Sequence, residues 1–190
     1  MSSPPIESVL LLFASTHGHT GKLARRMADR MRENATTVRV VDVADAEALD
    51  PSAYAVVVVG GSIHADAHQP ALREWLRRFG TALDPARTAV FSVSLTAADD
   101  SPEARSVTTG YVAALATDAG LTPALSVAFA GALQYREYPL ATRVLMRLVA
   151  RHRGLPTDAS ADVDYTDWDA VDAFADGVAE LVPVSVAAQR

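Results

Sequence analysis

The sequence contains no cysteine among its 190 residues. That absence excludes a disulfide framework, an iron–sulfur centre, a thiol nucleophile and a dithiol redox pair, so any redox chemistry must rely on a bound group. The chain also lacks an apolar run of about 18 residues, the length that would predict a membrane-spanning helix. Its first residues lack the basic stretch and apolar core of a secretory signal, so we expect a cytoplasmic protein.

The charge balance also excludes one class of partner. The formal net charge of −6 argues against a general nucleic-acid binder, whose binding domain is usually basic. Apolar residues make up 49% of the chain and charged residues 21%, proportions typical of a globular protein. We therefore expect residues 1–190 to form a single domain with a substantial core and no nucleic-acid partner.

Short β-branched segments alternate with amphipathic segments, which is the pattern of βαβ units in a parallel sheet. The predicted strands are Ser8–Ala14, Thr36–Asp42, Tyr54–Gly60, Thr88–Leu95 and Leu125–Leu133. The predicted helices are Thr20–Glu33, Gln69–Phe79, Ser101–Ala119 and Asp167–Leu181. These elements predict a doubly wound α/β sheet of order 2-1-3-4-5 with helices on both faces. In such a sheet a ligand binds beyond the carboxyl ends of strands one and three.

The loop after the first predicted strand is rich in hydroxyl groups. It consists of Ser15, Thr16, His17, Gly18, His19 and Thr20. The hydroxyls can donate to phosphate oxygens, the glycine lets backbone N–H groups turn toward an anion, and the following helix N-terminus favours negative charge. Neither the glycine-rich dinucleotide fingerprint nor the lysine-bearing P-loop is present. The loop therefore predicts a phosphate monoester held by neutral donors, as in FMN; the alternative is an ordinary βα turn with a threonine cap.

The loops after the third and fourth predicted strands meet the same edge of the sheet. Candidate cofactor contacts in them are Gly61, Ser62, Ile63, His64, Ser94, Leu95 and Thr96. Gly60 and Gly61 would admit a flat ring such as a flavin, against which Ile63 or His64 would lie, and His64 is also a candidate proton donor or anion contact. A metal pair of His64 and His68 is the alternative, but no carboxylate and third ligand accompany them at a recognisable spacing. We therefore predict no metal site, and place His68 at the start of the next helix.

An extra segment, at about 134–162, follows the fifth predicted strand. Within it, residues 140–153 have helical periodicity, with Arg143, Arg147 and Arg151 in one stripe and apolar side chains over most of the remaining surface. Such a helix suits a lipid surface, a hydrophobic quinone or another subunit, including a second copy of the chain. The alternative is a helix packed on the core with a solvated arginine edge.

The sequence resembles the flavodoxin-like, menaquinone-dependent protoporphyrinogen oxidases, also called protoporphyrinogen IX dehydrogenases. The resemblance is carried by STHGHT at 15–20, VVVVGGSIHADAH at 56–68, AVFSVSL at 89–95, FAGALQYREYP at 129–139 and YTDWDAV at 165–171. It implies a flavodoxin-like fold with FMN as cofactor. It also implies oxidation of protoporphyrinogen IX, or a related reduced substrate, with a quinone as acceptor and peripheral contact with the inner face of the cell membrane.

Two further expectations follow from the resemblance and the residues together. Arg136 precedes the segment 140–153 and is a candidate partner for a porphyrin propionate, with an ordinary surface arginine as the alternative. The same fold also serves flavodoxin-type electron carriers and NAD(P)H:quinone reductases, and these are the competing functions. Trp168, near the start of the last predicted helix, is expected to pack and to take no part in chemistry.

Overall fold

Strands and helices alternate along the chain as the sequence predicts. A computed structural model describes residues 8–33, 36–133 and 163–183. The strands are β1 (Ser8–Ala14), β2 (Thr37–Asp42), β3 (Val56–His64), β4 (Ala67–His68), β5 (Thr88–Ser94), β6 (Leu125–Ala130), β7 (Ala132–Leu133) and β8 (Val163–Asp164). The helices are α1 (His19–Glu33), α2 (Pro70–Phe79), α3 (Pro102–Ala119) and α4 (Trp168–Glu180).

The main sheet has the order β2-β1-β3-β5-β6, and its neighbouring strands are parallel. The short strand β4 pairs antiparallel with the end of β3 and lies off this path. When β4 is left out of the count, the order is 2-1-3-4-5, so the predicted topology is confirmed. The polar alternation of β2, which predicts a sheet edge, agrees with its place at one end of the order.

Both faces of the sheet are covered, because successive side chains of a strand point to opposite faces. In β1, Leu11 belongs to a buried cluster with residues of α1 and α4, whereas Leu12 belongs to a second cluster with residues of α2 and α3. The apolar row predicted for α1, which comprises Leu23, Met27 and Met31, is wholly buried in the first cluster. The helices α1 and α4 therefore cover one face of the sheet, and α2 and α3 cover the other.

The helix starts follow local capping chemistry. The Ser101 hydroxyl accepts a hydrogen bond of 3.2 Å from the Ala104 N–H at the start of α3, and the Asp167 carboxylate accepts one of 3.0 Å from the Ala170 N–H at the start of α4. Trp168 packs against the core cluster of α1 and α4, as predicted. No helix in the described part of the chain is long and apolar enough to cross a membrane.

The predicted strand Leu125–Leu133 is wrong in its extent, because the chain divides it at Gly131. The N–H of Gly131 donates to the carbonyl of Ser94 at 3.1 Å, and its carbonyl accepts from the N–H of Tyr165 at 3.2 Å. Beyond this point β7 pairs antiparallel with β8 in a separate two-stranded ribbon. Residues 134–162, including Arg136 and the segment 140–153, lie outside the described residues.

The prediction that His68 starts a helix is also wrong. Strand β3 runs on to His64, and the chain reverses through Ala65 and Asp66, whose φ angles are 47° and 59°. Two consecutive positive φ values are the signature of a tight hairpin turn whose twist matches that of the flanking strands. His68 therefore lies in β4, and α2 begins only at Pro70.

Candidate functional site

Three loops leave adjacent strands at one edge of the sheet. Strands β1, β3 and β5 are neighbours, and their carboxyl ends are Ala14, His64 and Ser94. The covering helix changes face between β1 and β3, since α1 packs with α4 on one side and α2 with α3 on the other. This edge is the point where a doubly wound sheet opens a crevice for a ligand.

The loop after β1 has the geometry of an anion site. Gly18 adopts a φ of +80°, which lets the chain turn directly into α1. The N–H of Lys22 donates to the Gly18 carbonyl at 3.1 Å, so the N–H groups before it are not used by the helix itself. The first turn of α1 contains no acidic side chain that would compete for those donors. The start of α1 therefore presents backbone N–H groups and a favourable helix dipole to an anion such as a phosphate.

Thr20 supplies the test of whether this loop fits a phosphate. The residue is 1% exposed, and its hydroxyl is buried with no hydrogen-bond partner among the described residues. A buried hydroxyl left without a partner costs about 1–3 kcal/mol. A phosphate in the loop would satisfy such a group, whereas an ordinary βα turn would not. The residues present thus fit the phosphate of a flavin nucleotide.

Gln69 joins the first loop to the second, a role that the sequence pattern does not predict. Its Nε2 donates to the hydroxyl of Thr16 at 3.1 Å and to the hydroxyl of Ser62 at 2.8 Å. Glutamine is a poor helix cap, so its place immediately before Pro70 was the only signal of a different role. The two predicted loops are therefore connected through a side chain that neither of them contains.

The side chain of His19 contacts the segment that precedes α4. Its Nε2 lies 2.8 Å from the hydroxyl of Thr166 and 3.6 Å from a carboxylate oxygen of Asp164. Burial lowers the pKa of His19, while Asp164 acts in the opposite direction and Lys22 adds to the lowering. The His19 side chain is thus engaged in a structural contact, and its backbone N–H is the group that remains for an anion.

His17 and His64 bring the first and second loops into contact. Their ring centroids are 5.3 Å apart with an interplanar angle of 66°, an edge-to-face arrangement. Burial lowers the pKa of His17, and it also lowers that of the more exposed His64, where His17 contributes a further decrease. Both rings are therefore neutral at pH 7. They can donate or accept a proton at this edge but add no fixed positive charge.

Gly60 and Gly61, which lie within β3, are required by packing, which corrects the reason predicted for them. A side-chain carbon added to Gly60 would collide with the buried ring of Phe91, and one added to Gly61 would lie 2.5 Å from Leu72 Cδ2. The space beside these glycines is filled by the core, so it is not the space for a flat ring. Ser62 and Ile63, which follow them, are half-buried at the sheet edge.

The other predicted site residues lie at the ends of β1 and β5, and His68, the alternative metal ligand, lies in β4. Ser94 is buried at the end of β5, and its hydroxyl accepts from the Ala97 N–H at 3.3 Å, which holds Leu95 and Thr96 in a short helical turn. Ser15 is half-buried at the end of β1. His68 is turned inward, with Nε2 3.2 Å from the buried hydroxyl of Ser92, so it does not join His64. The described residues hold no group of three or more potential metal ligands.

The fold defines the class of the protein: a doubly wound, flavodoxin-like α/β domain with a hydroxyl-rich loop at the switch point. Residues 10–160 match the family model described as "Flavodoxin domain", which implies a flavin cofactor. Flavodoxin 1 from Bacillus cereus has a TM-score of 0.54 and 16% identity to this chain, and the match covers 91% of this chain and 97% of that one. At this low identity the structural likeness establishes the fold.

Two curated relatives identify the family more closely. The chain is 32% identical over 181 residues to protoporphyrinogen IX dehydrogenase (quinone) of Leishmania major, a match that covers 93% of this chain and 76% of that protein. It is 31% identical over 173 residues to the protein of the same name in Escherichia coli K12, covering 90% and 94% respectively. The chain belongs to the flavodoxin-domain family that includes these dehydrogenases.

Proposed function

We propose that this protein is an FMN-dependent oxidoreductase that oxidises protoporphyrinogen IX and passes the electrons to a quinone. The observation that carries the proposal is the loop at 15–20, in which the buried Thr20 hydroxyl has no hydrogen-bond partner among the described residues. Relatives of the chain are named protoporphyrinogen IX dehydrogenases. The loop contains neither a lysine nor a magnesium-binding acid, so its neutral donors suit the terminal phosphate of FMN. The flavin, when bound, supplies the electron-transfer chemistry.

In the proposed reaction the residues of this chain bind the cofactor and orient the reacting molecules. The N–H groups at the start of α1 and the hydroxyls of Thr16 and Thr20 hold the phosphate. His64 lies at the exposed end of β3, and burial lowers its pKa, which supports a role in donating or accepting a proton beside the reacting molecule. Arg136 lies outside the described residues, and its pairing with a substrate carboxylate remains a prediction from the sequence.

The central test follows the flavin through one cycle. The purified protein is expected to be yellow and to release FMN when it is denatured. Under anaerobic conditions protoporphyrinogen IX should bleach the colour and menadione should restore it, while free FMN at the same concentration serves as the control. No bleaching by the porphyrinogen would overturn the substrate assignment.

The same anaerobic measurement of flavin colour distinguishes the proposed function from the two competing ones. Rapid bleaching by NADPH, with none by the porphyrinogen, would indicate an NAD(P)H:quinone reductase. A flavodoxin-type carrier would instead hold a stable one-electron reduced state and oxidise neither donor. The protein proposed here should accept electrons from the porphyrinogen and lose them to the quinone.

The proposal includes peripheral contact with a membrane through residues 140–153, since a lipid-soluble quinone must be reached. It rests on the sequence alone: the three arginines 143, 147 and 151 among apolar residues suit an anionic lipid surface. Sedimentation with vesicles containing anionic lipid should deplete the wild type from solution and leave a variant with all three arginines changed to glutamate behind. Equal sedimentation of both would contradict the contact, and light scattering would report self-association.

A further inference from the structure

The amide of Gln69 lies between two hydroxyl groups that belong to different loops. Nε2 donates to Thr16 Oγ1 at 3.1 Å in the phosphate loop and to Ser62 Oγ at 2.8 Å at the end of β3. These contacts span 53 and 7 positions of sequence respectively. One side chain thus sets the spacing between the first loop and the second.

The backbone on either side holds Gln69 firmly in this position. Its carbonyl accepts from the N–H of Leu72 at 3.1 Å and of Arg73 at 3.3 Å, which starts α2, while its side chain makes no capping bond. The preceding residue, His68, is buried and bonded to Ser92. The amide therefore does not cap α2, and the fixed main chain positions it beside the two hydroxyls.

The direction of these hydrogen bonds decides what Thr16 can do. A hydroxyl carries one proton, and because it accepts from Nε2 it keeps that proton for another acceptor. If the amide rotated by 180°, Oε1 would face the two hydroxyls. Both hydroxyls would then donate their protons to Oε1 and have none left for another acceptor. Oε1 is itself buried without a partner among the described residues, so no described group locks the amide against that turn. A phosphate that needs the Thr16 proton favours the observed orientation.

We propose that Gln69 is a positioning residue that turns the hydroxyl proton of Thr16 toward the flavin phosphate, and so sets the preference for FMN over riboflavin. This inference rests on the proposed FMN function. Gln69 makes no contact with the phosphate itself; it acts by holding Thr16 as a donor. A carboxylate in its place would accept from both hydroxyls and withdraw the donor.

The test compares two ligands that differ only in the phosphate. Flavin-free wild type, Gln69→Glu and Ala67→Glu are titrated with FMN and with riboflavin by flavin fluorescence. Ala67 is exposed in β4, two residues before Gln69. Its variant adds the same charge nearby but leaves the amide that bonds to Thr16 in place. Gln69→Glu should weaken FMN binding by about tenfold or more and riboflavin binding by less than about threefold. Ala67→Glu should change both affinities by less than about threefold.

A second variant and a double substitution keep the proposal testable if the charge disturbs folding. Gln69→Met retains the length without hydrogen bonds and should also weaken FMN selectively, though less. Thr16→Val should cost FMN affinity in the wild type but little more in Gln69→Glu, because the donor is already withdrawn there. Equal losses for FMN and riboflavin, or additive effects of the two substitutions, would overturn the role of Gln69. A wild type that binds both flavins equally would overturn the FMN function itself.

Discussion

The ring of His19 donates a hydrogen bond to Thr166, with 2.8 Å between Nε2 and Oγ1, although the two residues are 147 positions apart. The direction follows from the second bond of Thr166, whose hydroxyl proton goes to the carbonyl of Ala130 at 3.0 Å. His19 must therefore supply the proton of the first bond. The start of α1, which follows the loop after β1, is thereby joined to the segment that precedes α4.

Thr166→Val should destabilise the protein by about 1–3 kcal/mol, because it leaves a buried N–H of His19 and the carbonyl of Ala130 without their partner. Urea denaturation of the flavin-free protein measures the change. Thr117→Val is the matched control, since the Thr117 hydroxyl bonds only to an exposed helix carbonyl, and it should alter stability by no more than about 0.5 kcal/mol. Equal effects of the two substitutions would contradict the importance of the His19 contact.

His68 makes stability depend on pH in the acid range. Burial lowers its pKa to about 4, with Arg73 adding to the decrease and Asp118 opposing it. The unfolded chain binds a proton near the ordinary pKa of about 6.5, whereas the folded protein does not until about pH 4, so stability falls as the pH drops through this window. Between pH 7 and pH 5 the loss from this residue should be about 2 kcal/mol.

The contribution of His68 is isolated by the variant His68→Gln, which can still bond to the Ser92 hydroxyl. Urea midpoints at pH 7 and pH 5 should differ less in the variant than in the wild type, even though the other histidines and the carboxylates titrate in both. An identical pH response in the two proteins would show that folding does not lower the pKa of His68, and that the residue is protonated in the folded protein at pH 5.

The topology was predictable from the sequence because each buried strand carries its own signal. Ser8–Ala14 is almost continuously apolar and is followed by a polar loop, which leaves few alternatives to a central strand. The failures occurred where backbone contacts decide the structure. Gly131 divides the last predicted strand through bonds to Ser94 and Tyr165, and no side-chain pattern announces those partners.

The candidate site could be predicted from the sequence in outline but not in detail. The hydroxyls and Gly18 of the first loop predict an anion site because their chemistry is local to one segment. Gln69 was missed because its role depends on Thr16, 53 positions earlier. His19 was assigned to the ligand by its place in the motif, yet its ring is directed by Thr166 across the fold. Long-range partners, which the sequence does not reveal, determine what such side chains do.

Ala65 stores strain in the hairpin that carries His64. Its φ of 47° lies in the left-handed region, which costs a residue with a Cβ about 1–2 kcal/mol. Ala65→Gly should therefore stabilise the protein by about 0.5–1 kcal/mol after the greater freedom of glycine in the unfolded chain is deducted. Ala67→Gly, in the strand just beyond the turn, should have the opposite sign, because glycine weakens a strand. Thermal unfolding of both variants measures the difference, and the same sign for both would contradict the strain.

The glycines at the end of β3 distinguish packing from ligand access. A methyl group on Gly61 would lie 2.5 Å from the fully buried Leu72, so Gly61→Ala should cost about 1–3 kcal/mol of stability even without flavin. Gly110→Ala is the matched control: nothing lies within 4 Å of the added carbon, and alanine should stabilise α3 by about 0.5–1 kcal/mol. If Gly61 instead kept space open for the flavin ring, its variant would fold with normal stability and lose only flavin affinity. Urea denaturation and flavin titration of the same two variants decide between these outcomes.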